Sequence, residues 1–390
     1  MSVTFPKGFK ASGTAVGIKD GGRLDAALIV SEDLEPVVAA ATFTTNLAAA
    51  SPVKLSRKNL ESSGGSAVGV LMTSGNANAA NGKRGDADAL ASLVTLGENL
   101  GVKPDLLLVA STGLIGIAMP IERLVSGIPA CVSSLGSGSD SAYEAAKAIM
   151  TTDTYAKTAE FEIDGVRFGS IAKGAAMIAP NMATMLALIT TDAQVSSEVL
   201  GDALRRAVDK TFNRITIDGC TSTNDTVFAL ASGKSGKVLE ISLLQMALDV
   251  ICSSLARQIV FDAEGATKLV EVVVTGAKSE DDALAIARKV AESSLVKCSF
   301  YGEDPYFGRI LSEVGTAGID LDIDKVSITY GPVVVFEEGH EVEYDRDQVK
   351  EVVAAREFSI YIDVDDGIAE GAIITADLTH AYVDENMGTS

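Results

Sequence analysis

The stretch Glu160-Phe-Glu-Ile-Asp164-Gly165-Val-Arg-Phe168 alternates in character on both sides of an Asp-Gly pair. Asp-Gly suits a two-residue turn with positive φ at both positions, so this spacing predicts a β-hairpin. The hairpin feeds Ala172-Lys-Gly-Ala-Ala-Met-Ile-Ala-Pro-Asn-Met-Ala183, and then Thr184-Met-Leu-Ala-Leu-Ile-Thr190. The first of these is a small-residue stretch broken at Pro180-Asn181; the second reads as a buried strand beginning at Thr184. By composition alone the small-residue stretch is a loop packed closely against a sheet.

Around this centre the pattern is mixed. Ala67–Met72 and Leu106–Ala110 are short apolar runs ending in turn residues, with a helix expected over 86–100 between them. Ser141-Ala-Tyr-Glu144 has the spacing of a capping box and predicts a helix through Met150. Helices fit 196–211, 242–258 and 279–293. Strands fit 268–275, 326–336 and the run from Ile360, and His380 is expected on a strand near the chain end. Strands and helices alternate without strict βαβ regularity, so α/β or α+β layers follow.

Composition narrows the chemistry. The 390 residues carry 53 acidic against 32 basic side chains, a formal charge of −21. A field of that sign repels phosphate backbones and argues against a nucleic-acid partner. The longest uncharged runs, 36–53, 62–82 and 174–191, are each broken by Pro, Asn or clustered Gly/Ser, and none reads as a membrane span. Cys131, Cys220, Cys252 and Cys298 are scattered without a CxxC pair, as expected of reduced thiols in a cytoplasmic protein. Only two histidines occur, His340 and His380. They form no recognisable zinc set or Ser-His-Asp triad, so no metal is expected and a catalytic base must be sought elsewhere. Gly233-Lys-Ser235 lacks the upstream glycine of a P-loop. Asp320–Asp324 lacks the turn glycine of a calcium loop.

Seven segments in order carry a resemblance. They are Ser74-Gly-Asn-Ala-Asn-Ala79, Ala110-Ser-Thr-Gly-Leu-Ile-Gly116, Ala148-Ile-Met-Thr-Thr-Asp-Thr154, the 172–186 stretch, Asp218-Gly-Cys-Thr-Ser-Thr-Asn-Asp-Thr226, Glu264-Gly-Ala-Thr-Lys-Leu269 and Gly302-Glu-Asp-Pro-Tyr-Phe-Gly-Arg309. Together they resemble the ornithine acetyltransferase family, the glutamate N-acetyltransferases of arginine biosynthesis, over nearly the whole chain. The resemblance implies a two-domain, αββα-type fold of N-terminal-nucleophile kind. It also implies self-cleavage between Ala183 and Thr184 into an alpha fragment, 1–183, and a beta fragment, 184–390, two copies of each assembling. N2-acetylornithine and glutamate are the implied substrates, with no cofactor. Family members with and without acetyl-CoA as a donor share these motifs.

The same match puts the nucleophile at Thr184 and the oxyanion hole at Thr112 and Gly113. Thr151, Lys173, Thr184, Glu264, Asn386 and Ser390 fall on substrate-binding positions. Ser390 stands four residues after Asn386 where the family usually spaces five, which leaves Thr389 as the other tail contact. Tyr306-Phe307 replaces a more usual Asn-Trp pair. The chemistry is coherent. A freed α-amine with a pKa near 8 is roughly a tenth free base at pH 7, against about 0.04% for a lysine, so cleavage would create a base beside the hydroxyl. Two other readings are kept: an amidohydrolase or aminopeptidase of related fold, and a binder in which Thr184 is structural. Lys173 is expected to pair with a substrate carboxylate, against the alternative of a solvated loop charge.

Overall fold

The computed structural model describes residues 2–179 and 185–388. The expected cleavage pair, Ala183 and Thr184, and both tail residues, Thr389 and Ser390, lie outside the described residues. Two compact units are present. One comprises Met1–Gly174, Pro180–Asn213 and Thr221–Ile259; the other comprises Ala175–Ala179, Arg214–Cys220 and Val260–Ser390. Neither unit follows the expected fragment boundary at 183/184.

The first unit contains two sheets. Strands Phe9–Thr14, Ala26–Ser31, Gly69–Asn76 and Leu107–Leu114 form the first, in that order. The second runs Ser66–Ala67, Val37–Phe43, Thr226–Ala231, Leu186–Thr191, Val166–Lys173, Lys157–Ile163. Period-two alternation divides each strand between two cores. Ala27, Ile29, Val70, Met72, Leu108 and Ala110 point to a shared core with Ile171, Leu186, Leu188, Phe228 and Leu230 of the second sheet. Their neighbours Ala26, Leu28, Val30, Leu71, Leu107 and Val109 pack on Leu93, Leu96 and Ile128 of the helices Gly82–Leu100 and Ile121–Ser133. On the far side of the second sheet, Val208 of helix Ser197–Lys210 lines a small cavity together with Thr42 and Val227. The result is an αββα layering within this unit.

Helix Ile241–Phe261 is the one described helix long and apolar enough to cross a membrane by length and composition. Its buried face, Leu244, Leu248, Ile251, Leu255 and Ile259, is a core face. Gln245 and Gln258 tie it to the carbonyls of Ala203 and Thr158.

The second unit holds one seven-stranded sheet: Ile215–Thr216, Ala369–Ala376, Leu269–Ala277, Glu357–Asp363, Ser327–Tyr330, Val333–Glu337, His340–Glu341. Helices Glu280–Glu292, Ser294–Tyr301, Phe307–Val314 and Arg346–Ala354 share a core with one face of it. On the opposite face Tyr361 is exposed. This unit is a two-layer α/β arrangement.

Three local expectations need correcting. The helix expected from Ser141 starts at Ser139 and ends at Ala148, capped by the extended backbone of Gly138 and not by a serine side chain. The run 326–336 is a hairpin, Ser327–Tyr330 and Val333–Glu337, because Gly331 turns at φ +54° ahead of Pro332. His380 opens the helix His380–Glu385, since the Thr379 hydroxyl accepts the Tyr382 N–H and caps it. The central hairpin is present as Lys157–Ile163 and Val166–Lys173, with Asp164 and Gly165 at φ +51° and +73°.

Candidate active site

Strands Gly69–Asn76 and Leu107–Leu114 run parallel, and their register breaks at Gly75/Asn76. Gly113 has φ +129°, and a Cβ there would lie 2.4 Å from the Gly75 carbonyl carbon. Only glycine fits that crossing. Asn224 secures it from the second sheet's side: its Nδ2 donates to the carbonyls of Ala77, at 2.6 Å, and Ser111, at 2.8 Å. Thr112 follows Ser111 and is buried.

Lys173 ends the strand Val166–Lys173 and is only 5% exposed, so it is no solvated loop charge. Its Nζ donates to Thr112 Oγ1 at 3.2 Å. Opposite Lys173 across the antiparallel ladder stands Leu186. Asp153 anchors this end of the sheet. Its Oδ1 accepts from Lys157 Nζ and from the Gly174 N–H, both at 2.7 Å, and its Oδ2 accepts the Thr151 N–H at 2.9 Å. Burial works to raise the Asp153 pKa, but the Lys173 and Lys157 ammoniums and these hydrogen bonds overcome it and hold the carboxyl at about 2.

Asp225 behaves in the opposite way. Fully buried, it is pushed well above the usual carboxylate range by desolvation, against the Met185 N–H bond and the charge of Lys173. Its Oδ1 accepts that N–H at 2.9 Å, while among the described residues Oδ2 has no hydrogen-bond partner. Met185 is the residue after Thr184. One buried carboxylate is therefore ionised and clamped, and a second favours the protonated form.

A separate group lies in the second unit. Asn386 Nδ2 donates to Glu264 Oε2 at 2.8 Å and to the Tyr382 carbonyl at 2.9 Å. Gly265, at φ +63°, lets Tyr382 close in: a Cβ would stand 2.5 Å from the Tyr382 nitrogen. Tyr382 donates its hydroxyl to Asp218 Oδ2 at 3.3 Å, and Asp218 also accepts the N–H groups of Met177, Ile178 and Cys220. Burial, then the carboxylates of Asp218 and Glu264, push the Tyr382 phenol far up.

The structure thus brings Thr112, Gly113, Thr151 and Lys173 into one network and pairs Glu264 with Asn386 in another. Sequence reasoning missed Asp153, Lys157, Asn224 and Asp225 in the first, and Asp218 and Tyr382 in the second. Asp153, Asp218, Asn224 and Asp225 all sit inside the quoted motifs, but nothing local marks which acids become buried. Among the described residues no group of three or more His, Cys, Asp or Glu side chains could hold a metal ion.

An αββα layer with a charged lysine–aspartate–threonine network at its strand ends defines a mixed α/β protein with a buried polar centre. The ArgJ family model matches residues 10–388. The chain belongs to the ArgJ family. The arginine biosynthesis bifunctional protein ArgJ of Thermobifida fusca is 41% identical over all of both chains. The chloroplastic ArgJ of Sorghum bicolor is 42% identical over 98% of this chain and 86% of its own. A crystal structure of the ArgJ protein of Bacillus halodurans aligns with TM-score 0.51 and 36% identity, covering 99% of that chain and 52% of this one.

Proposed function

We propose that this chain cuts itself between Ala183 and Thr184 and then moves an acetyl group from N2-acetylornithine to glutamate. Membership of the ArgJ family supports the activity. The single structural observation that carries the site is the buried Lys173–Thr112 contact beside Gly113, on a strand whose ladder partner is Leu186. Supporting this, Lys173, which precedes the proposed cut, contacts Thr112 and pairs with Leu186, which follows the cut. The Bacillus halodurans chain, matched nearly end to end yet spanning only about half of this one, has the size of a single fragment.

In the cleavage step the Thr184 hydroxyl attacks the Ala183 carbonyl. The C–N bond breaks as the nitrogen takes the proton, and water then hydrolyses the ester to leave Ala183 with a carboxylate. In transfer the α-amine accepts the hydroxyl proton as oxygen attacks the acetyl carbonyl, and returns it to the departing ornithine amine. The glutamate amine reverses these steps and leaves as N-acetylglutamate. Donors at Thr112 and Gly113 would stabilise both tetrahedral oxyanions, each donor being worth about 2.7–4 kcal/mol. Lys173 pairs with a substrate carboxylate; Glu264 answers an ammonium, with Asn386 and Ser390 or Thr389 completing the contacts. Two copies of each fragment form the working assembly. The cytoplasm is the proposed compartment, although a plant relative is chloroplastic.

The test is an assay of purified protein with glutamate, using acetylornithine and acetyl-CoA as separate donors. N-acetylglutamate formation in proportion to glutamate supports the reading. Acetate release independent of glutamate would make the chain an amidohydrolase instead. An inert, uncut chain would make it a binder.

A further inference from the structure

Lys19 is a charged residue near this network that neither the motifs nor the proposed steps use. Its backbone is fixed by Asp25, whose carboxylate collects the N–H groups of Val16, Gly17 and Lys19 at 2.7–3.0 Å. Its stem lies over Gly75: a Cβ on that glycine would meet Lys19 Cγ at 2.9 Å. Gly75 is the residue that Gly113 crosses. The Lys19 ammonium donates to the carbonyls of Leu24, at 3.1 Å, and Met150, at 2.6 Å.

The Met150 carbonyl belongs to the same peptide group as the Thr151 N–H. Lys19 holds one end of that group and Asp153 holds the other, at 2.9 Å. A peptide gripped by a cation at its oxygen and an anion at its nitrogen has little freedom to rotate, and the direction of the Thr151 side chain follows. We propose that Lys19 is a positioning residue, which sets the Thr151 peptide for the carboxylate-bearing substrate of the first unit. This inference rests on the acetyltransferase reading above.

The surrounding charges fit. Burial above all, joined by the charges of Arg23 and Lys173 and opposed by Asp25 and Asp153, lowers the Lys19 pKa to about 8. Two ammoniums that repel each other near one strand end are relieved when an anion binds. A substrate carboxylate supplies that anion.

The experiment uses processed protein with Lys19→Met, which keeps the stem without the charge, and Lys19→Arg, which keeps the charge. Steady-state kinetics with acetylornithine and glutamate, calorimetric binding of ornithine and the thermal midpoint are measured on each. The expected result for Lys19→Met is a KM for acetylornithine and an ornithine Kd raised 10-fold or more, with kcat within threefold. Lys19→Arg should restore both constants to within threefold of the parent. A lowered midpoint with unchanged KM and Kd would give Lys19 a purely structural role and overturn the inference. Equal loss in kcat and kcat/KM, with no rescue by arginine, would also overturn it. Should Lys19→Met not fold, Lys19→Gln replaces it; failure of both assigns the residue to folding and overturns the proposal. A parent enzyme that binds ornithine but transfers nothing fails the functional reading, and the calorimetric comparison still decides Lys19.

Discussion

Lys173 and Leu186 face each other across an antiparallel ladder, and the chain that joins them contains the proposed cut. Cutting that connection removes one covalent link but no strand pairing. The two edges stay together through six paired positions, Lys173↔Leu186 to Phe168↔Thr191, and through the core on both sides of the sheet. Purified protein should therefore run as two bands on a denaturing gel and as one species in native gel filtration. Active enzyme consisting of an intact 390-residue chain would remove the α-amine base from the mechanism.

Thr184→Ala should abolish both cleavage and transfer. Thr184→Ser should cleave and keep part of the activity, because it retains the hydroxyl and the future amine and loses only the methyl that restricts χ1. Turnover of acetylornithine by the alanine variant would place the nucleophile elsewhere.

Lys173→Met tests a buried charge. Its loss removes the donor to Thr112 and one of the cations that keep Asp153 ionised, so stability should fall by about 1–3 kcal/mol together with kcat/KM. The exposed-lysine alternative would have left the midpoint unmoved. Paired thermal and kinetic measurements on the processed variant check this, and parent-like kinetics would take Lys173 out of the site.

Asp153 makes stability depend on acid. Its pKa in the folded chain is about 2, below the ordinary 3.8, so it stabilises the fold fully above pH 4 and loses that contribution as pH falls from 4 through 2. The difference corresponds to about 2–3 kcal/mol. Denaturant titrations between pH 2 and 6 should show the loss in the parent, and Asp153→Asn should be weakened at pH 6 with a flatter acid limb.

Asp225 works in the other direction. Its folded pKa lies above the unfolded one, so its contribution is present at low pH and is lost as pH rises through the folded pKa. Asp225→Asn keeps an oxygen for the Met185 N–H and never ionises. The variant should equal or exceed the parent in stability at pH 8 and show less decline from pH 5 to 8. A large loss at pH 8 would mean that the carboxylate is ionised and paired.

What the sequence reveals depends on how local the cause is. The Asp164-Gly165 hairpin was readable because turn chemistry acts within four residues. The Leu186–Thr191 strand was readable from its continuous apolar run, buried on both faces. Lys173 and Glu264 were found only through ordered motifs. Asp153 and Asp225 stayed hidden because their states depend on residues brought in from other strands. Asp153 is held ionised against burial by Lys173, Lys157 and the Gly174 N–H, and Asp225 is raised by complete burial against the N–H of Met185, some forty positions away. The first-turn error at Ser139 and the helix at His380 have the same origin. A serine that could cap is not one that does, and it is Thr379, not a strand, that precedes His380 and caps the last described helix.

Each compact unit draws on sequence from both sides of the proposed cut: Met1–Gly174 with Thr221–Ile259 in one, Ala175–Ala179 with Val260–Ser390 in the other. Under the proposed cut, each unit would hold segments of both fragments. On one ribosomal product the halves meet at the high effective concentration of tethered segments, on the order of millimolar. Encoded as two genes, they would have to find each other by diffusion while exposing unfinished strand edges. The proposed scission would follow single-gene synthesis, so the new amino terminus would arise between two strands already paired from Lys173↔Leu186 to Phe168↔Thr191, an order of events that a second start codon could not supply.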